Sequence, residues 1–302
     1  MPIEHISDTA RWVAFYRAME SERPDALFVD PWARRLAGAK GEQIVRELPR
    51  ARSSAWAMIV RTALFDEIVL RLVQREGVDL VLNLAAGLDT RPFRLDLPPA
   101  LHWVDVDLPD ISAYKQQTLD GEVPRCRYDA VVADLADAEA RRAVFARLGA
   151  TAQRALVMTE GLLIYLKPGQ VGALADDLHG QRAFRWWLTD LASPWLRKFM
   201  ERSWGKTLEV GGSRMHFFPE EGVEFFVPHG WSAIEFRSSV EEAHRLRREM
   251  TLAWLWRLMG RVQSAKRREQ VRRISGVVLL ERTDANVAER LFPDGLGDRP
   301  FA

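Results

Sequence analysis

Val81-Leu82-Asn83-Leu84-Ala85-Ala86-Gly87-Leu88-Asp89-Thr90-Arg91 joins a short apolar run to a turn of small residues, and the rest of the chain reads outward from it. Residues 79–85 are too few for a separate helix and carry the β-branched Val81, so they predict a buried strand. Ala85-Ala86-Gly87 then removes side-chain bulk where the backbone must turn, which lets a ligand approach the main chain. A strand followed by such a turn is the usual seat of a nucleotide-like ligand.

Downstream the pattern alternates. Strands are predicted at 101–107, 128–133, 154–159 and 183–189, with helical patterns at 109–119, 137–148 and 168–180. Short apolar strands alternating with helices predict an α/β fold with a parallel sheet covered on both faces. Beyond 189 the alternation fails. Residues 190–230 contain Pro194, Gly205, Gly211-Gly212, Pro219 and Pro228, too long a stretch for a plain connection, so a lid or substrate-facing insertion is expected there. Residues 232–237 and 276–282 add two strands, for seven in all, and a helix is predicted from Val240 to Met259.

Upstream the chain is wholly helical. Trp12, Val13, Phe15, Tyr16 and Met19 form an apolar face that Arg23-Pro24-Asp25 interrupts. Asp30-Pro31 reads as a cap and a first helical residue, opening a helix that Gly38 closes. A longer helix is predicted over 52–75. The organisation expected is one domain, 1–302: a helical cap over 1–78, a cofactor-binding core over 79–189, insertions at 190–230 and 240–275, and the rest of the sheet within 231–302.

Bulk properties exclude several classes. The 302 residues are 47% hydrophobic and 28% charged, an ordinary globular balance. Forty-three basic against 42 acidic residues leave a formal charge of +1, and no base-reading module is present, so nucleic acid is not an expected partner. The basic run 261–273 lacks interleaved aromatics and predicts a solvated helix face. A single Cys126 rules out an internal disulfide framework and suits a reducing compartment, with the cytoplasm as the expected location. No run of about eighteen apolar residues occurs, so no membrane span is expected.

A dinucleotide fold wants G-x-G-x-x-G after the first strand and an acid near the ribose. Here Gly87 stands alone, with Ala at 85 and 86 and Thr at 90, yet Asp107 closes the second predicted strand twenty residues after Gly87. That combination suits a nucleoside without a pyrophosphate, and S-adenosyl-L-methionine is the candidate. Asp107 would take the ribose hydroxyls, and it is preferred to Asp105 because it sits at the strand end. Asp134 ends the third strand and could accept from the adenine amino group, with Leu135 against the ring. Glu160 ends the fourth and could meet the ammonium group or the sulfonium. Acids closing three parallel strands on one sheet edge read together as a site.

The set Ser21-Glu22-Arg23-Pro24-Asp25-Ala26-Leu27-Phe28-Val29-Asp30-Pro31, Arg61-Thr62, Ala86-Gly87-Leu88-Asp89-Thr90-Arg91, Asp105-Val106-Asp107-Leu108-Pro109 and Thr159-Glu160-Gly161-Leu162-Leu163-Ile164-Tyr165-Leu166 resembles the leucine carboxyl methyltransferase-like family of S-adenosylmethionine-dependent O-methyltransferases. The likeness is strong over about 10–170 and weak beyond. It implies a class I methyltransferase fold: a Rossmann-like, seven-stranded, mostly parallel sheet whose last strand is antiparallel, with helices on both faces and an amino-terminal helical lid over the cofactor. It also implies that Arg61, helped by Arg11, pairs with the methionine carboxylate and that Gly87 lies under the methionyl chain. Asp107 would serve the ribose, Asp134 and Leu135 the adenine, and Glu160 the amino acid end. Ala85 stands where some relatives have glycine.

Methyl transfer from a sulfonium is an in-line displacement, so alignment and exclusion of water are the main requirements. A carboxylate acceptor is already ionised at pH 7 and needs no base, whereas a phenol wants one such as His. Arg197 and Arg214 are candidates to hold a carboxylate, His216 to act as a base, and Tyr165 to lie near the methyl group. Trp186, Trp187, Trp195, Trp204, Phe217 and Phe218 could wall an acceptor with an apolar or aromatic body. The expected activity is O-methylation of a small molecule, at a carboxylate in the first place, with a phenol as the alternative. Alternatives are methylation of a protein's terminal carboxyl, a nucleotide-binding oxidoreductase, and a non-catalytic cofactor-binding protein.

Overall fold

The computed structural model describes residues 7–47, 51–198, 215–250 and 264–283. Within them β1 (Leu80–Leu84), β2 (His102–Asp107), β3 (Arg127–Val132), β4 (Ala155–Thr159), β5 (Phe184–Ala192), β6 (Trp231–Ser238) and β7 (Ser275–Arg282) form one sheet in the order β3-β2-β1-β4-β5-β7-β6. Strands β1 to β5 are parallel, and β7 runs antiparallel between β5 and β6, as the resemblance implies. The order reverses between β1 and β4, which is where an open parallel sheet leaves a crevice at its carboxyl edge.

The central strands β1 and β4 are buried at every position because both faces are covered. Leu80, Leu82 and Leu84 of β1 enter a core with Val144 and Phe145 of α6 (Ala138–Gly149) and Leu174 of α7 (Pro168–His179). Val81 points the other way, into a core with Leu64 and Leu72 of α3 (Ala51–Glu76). The period-two alternation of a strand therefore feeds two cores from one sequence. A third core roofs the carboxyl edge. There Ala14 and Tyr16 of α1 (Ser7–Ser21), Leu36 of α2 (Ala33–Glu47) and Ile59 of α3 pack with Leu88 of the first turn.

Three expectations change. Gly38 has φ 59° and ψ −172°, so it breaks the helix as expected, but the chain re-enters helix as far as Glu47. Strand β5 continues to Ala192 instead of stopping at 189, because β7 pairs with it through Ala192↔Ser275. The helix expected from Val240 to Met259 stops at Arg245 (α8, Ser239–Arg245). Arg247 takes φ 54°, and Arg248 turns back to Glu20 at 2.8 Å, so a buried ion pair ends the helix. Residues 251–259 of that expectation lie outside the described residues. The basic run forms α9 (Ala265–Arg272), which has no buried residue. No helix among the described residues is long and apolar enough to cross a membrane.

Candidate active site

The first turn is built on left-handed backbone. Gly87 has φ 53°, and a Cβ there would lie 3.3 Å from that of Ala10, so α1 sits directly over the turn. Ala85 has φ 52°, a conformation uncommon for a residue with a side chain. The backbone N–H of Gly87 donates to Asp107 Oδ2 at 2.5 Å, and that of Leu108 to Oδ1 at 2.8 Å. Burial pushes the Asp107 carboxyl up, and the two amides only partly offset it. Asp105, two residues earlier, lies on the same face of β2. It is buried, accepting from Asn83, Trp103, Lys115 and Tyr128 at 2.6–3.0 Å. Its acceptor capacity is taken, which leaves Asp107 as the acid at this edge.

Glu160, just after β4, is held between two arginines. Arg61 Nε donates to Oε1 at 3.0 Å and Arg91 to Oε2 at 2.7 Å. Burial alone would push this carboxyl up, but the guanidiniums of Arg91 and Arg61 outweigh it and hold it below the usual range. Arg91 also meets Asp89 and Asp66, each at 2.7 Å, and is 2% exposed. The Gly-Leu-Asp-Thr-Arg turn is thus an ionic brace. Thr90 joins in by donating to Asp30 at 2.7 Å, and Arg17 ties Asp30 to the carbonyl of Leu88. The segment Asp30-Pro31, expected only to cap a helix, also fastens the roof to the turn.

On the β3 side, Asp134 is exposed and its Oδ1 accepts from the amide of Ala136 at 2.8 Å, a local turn cap. Leu135 lines a cavity of about 200 Å³ together with Leu162, Leu166, Gly169, Ala173 and Leu174. Arg141 and Gln170 also line that cavity, which lies between the segments that follow β3 and β4 and the helices α6 and α7.

The expected acceptor residues scatter. Tyr165 is held in a 3-10 turn (Leu163–Tyr165), hydrogen-bonded to Thr9 of α1, with its hydroxyl pushed up by burial although Arg61 opposes the shift. His216 donates its main-chain N–H to the carbonyl of Ile164 at 2.7 Å, so residues 215–218 lie against that turn. Arg197 is exposed and lies 5.8 Å from the ring centre of Phe218. Arg214 and Trp204 lie outside the described residues.

Two expectations fail by direction. Arg11 does not join Arg61. Its guanidinium stacks 3.7 Å over the ring of Tyr114 in α5 (Pro109–Thr118), because a helix turns successive side chains apart and Ala10 faces the turn instead. The tryptophans do not form a wall either. Trp186 and Trp187 enter opposite cores, Trp187 donating to Thr159 at 2.9 Å, while Trp195 is exposed beneath Arg267. Phe217 is also core, and of that set, among the described residues, only Phe218, with Met215, packs in the core that Ile164 and Tyr165 join.

Asp190 was not anticipated. Its Oδ2 accepts from Arg61 at 3.2 Å and its Oδ1 from the amide of Gly161 at 2.6 Å. The signal was a fourth acid directly after a predicted strand, since Asp190 follows 183–189 as Glu160 follows 154–159. Asn83, in the middle of β1, was also missed. Its amide donates to Asp89 at 3.1 Å and to Asp105 at 3.0 Å, linking the brace to the β2 cluster.

Comparisons with known proteins agree with the fold and with the family resemblance. The leucine carboxyl methyltransferase family model matches residues 10–179. A Parafrankia protein named "Putative S-adenosyl-L-methionine-dependent methyltransferase" is 33% identical over 78% of this chain and 79% of its own length. A Mycolicibacterium smegmatis protein with the same description is 36% identical over 58% of this chain, which spans 62% of that relative. The crystal structure of a Thermobifida fusca protein shares the fold, with a TM-score of 0.59 at 15% identity over 94% of this chain and 97% of its own.

Proposed function

The chain belongs to the leucine carboxyl methyltransferase family, and from that premise we propose that it transfers the methyl group of S-adenosylmethionine to a carboxylate oxygen of a small acceptor with an apolar or aromatic body. The gathering of Asp107, Glu160 and Arg61 on one sheet edge, with the half-buried Tyr165 five residues after Glu160, supports this reading.

The donor set suits the cofactor. Asp107 keeps acceptor capacity for the ribose hydroxyls beyond its two amide partners, Arg61 offers a guanidinium to a carboxylate, and Glu160 an acceptor to an ammonium group. Leu135 and Leu162 line the cavity proposed for the base. Bound there, S-adenosylmethionine supplies an electrophilic methyl group and a thioether leaving group. The chain's own part is to align, to shield and to place one proton donor. The roof formed by α1 over Gly87 excludes water from the sulfur end. Tyr165, with its hydroxyl raised, stays protonated at neutral pH and donates a hydrogen bond, which steadies a carboxylate acceptor and cannot deprotonate a phenol.

Calorimetry with S-adenosylmethionine tests the cofactor, and absence of binding sinks it. A mass-shift screen of small carboxylic acids against phenols tests the acceptor. Turnover of a carboxylate stays level from about pH 6 upward, since such an acceptor ionises near pH 4. Product from phenols alone, rising with pH, would transfer the role to His216 as a base, and product only on a protein's terminal carboxyl would make the acceptor macromolecular.

A further inference from the structure

We propose that Asp190 is a positioning residue that leaves the amino acid end of the cofactor site with one negative charge in excess, and that this charge makes the protein favour the sulfonium cofactor over its thioether product. The inference rests on the cofactor proposed above.

Three guanidiniums and four carboxylates form one connected network at the carboxyl edge. Arg94 pairs with Asp66 at 2.6 Å, Arg91 bridges Asp66, Asp89 and Glu160 at 2.7 Å each, and Arg61 spans Glu160 and Asp190 at 3.0 and 3.2 Å. The flanking pairs, Arg17 with Asp30 and Lys115 with Asp105, are neutral in themselves. The network therefore carries a net charge of minus one. Asp190 is its outermost acid: its side chain is 23% exposed against 10% for Asp66 and Asp89 and 14% for Glu160. It has a single guanidinium partner, at the longest separation in the network, and its other oxygen is spent on the amide of Gly161.

Cofactor and product share the same carboxylate and ammonium groups, so Arg61 and Glu160 act on both alike. They differ in the methyl group and in the positive charge it gives the sulfur, and a carboxylate acts on the second. A surplus carboxylate in a partly buried site, where screening is weaker than in water, attracts the charged form and gives the neutral product no such advantage. Anchoring by the Gly161 amide keeps Asp190 in place when Arg61 turns its guanidinium to the cofactor carboxylate.

The test is calorimetry of S-adenosylmethionine and S-adenosylhomocysteine on wild type, Asp190→Asn, Asp190→Ser and Asp190→Glu, with thermal melts to verify folding. The charge-removing variants are expected to lower the ratio of cofactor to product affinity roughly tenfold, with Asp190→Glu restoring most of it. Equal losses for both ligands, or an unchanged ratio, would show a merely structural residue and overturn the proposal. Failure of both charge-removing variants to fold would do the same. Wild type that binds neither ligand would instead refute the cofactor itself.

Discussion

The carboxyl edge of β1, β2, β4 and β5 and the wall around Tyr165 lie side by side but are held by different forces. Along the edge, Arg61, Arg91, Asp66, Asp89 and Glu160 fix one another through charged hydrogen bonds of 2.7–3.0 Å. Along the wall, Met215 and Phe218 meet Ile164 and Tyr165 by apolar packing, with a few main-chain hydrogen bonds from residues 216 and 217. Ion pairs are directional and fail when one member changes, whereas packed side chains of similar volume exchange at small cost. A site that must recognise one fixed cofactor fits the first kind of support. A surface that must match an acceptor fits the second.

Removing the hub of the edge breaks this contrast most sharply. Arg91→Met leaves Asp89 and Glu160 without their shortest partner in a buried setting, and urea unfolding is expected to show a loss of about 3–5 kcal/mol. A loss under 1 kcal/mol would mean that the edge, too, is held by packing. Asp107→Ala is milder: stability changes little while affinity for S-adenosylmethionine falls roughly 10- to 100-fold by calorimetry, the range for losing charged hydrogen bonds.

Acid sharpens the comparison next. Asp89 and Glu160 have folded pKa values below their unfolded ones, since Arg91 outweighs burial at each. Their stabilisation is present above the ordinary carboxylate range, near pH 4, and is lost as pH falls through the depressed values. Asp107, raised by burial, works oppositely: its contribution is full below the ordinary range and disappears as pH rises through its folded value. Unfolding measured from pH 7 to 2 should therefore show a steep decline below about pH 4 that Asp89→Asn flattens.

On the wall, Tyr165→Phe should lower kcat about tenfold while changing cofactor affinity less than about twofold, as expected of a hydrogen bond made to the acceptor alone. An equal effect on cofactor binding would place Tyr165 with the edge. The smallest effect is expected at Ala85, where φ 52° strains a Cβ. Ala85→Gly relieves that strain at an entropic cost in the unfolded chain, for a net change within about 0.5 kcal/mol by thermal melting.

Much of the edge was legible before any tertiary structure because its elements are local. A strand ends where its apolar run ends, so Asp107, Asp134 and Glu160 could be placed at strand ends from spacing alone, and Gly87 marked the turn. Asp190 also follows its predicted strand directly, but only the fold, with β5 prolonged by β7 from more than eighty residues away, brings it to Arg61 and the Gly161 amide. Arg11 and Ala10 are adjacent in sequence, yet which of them faces the turn depends on how α1 rolls against α2 and α5. Asp105 and Asp107 have the same strand parity, and only the packing of Lys115 and Tyr128 consumed one of them.

Alternation of short apolar strands with helices settled the parallel sheet, and the single glycine followed by an acid twenty residues on raised the expectation of an adenosine site without a pyrophosphate. These are consequences of nearest-neighbour chemistry and of a fixed strand geometry. The sharing of Arg61 between Glu160 and Asp190, the sinking of Trp186 and Trp187 into two separate cores, and the seating of α1 on Gly87 were decided only by the assembled fold. Each joins segments far apart in the chain, and the charge or shape that one segment presents has meaning only once folding has supplied its partner.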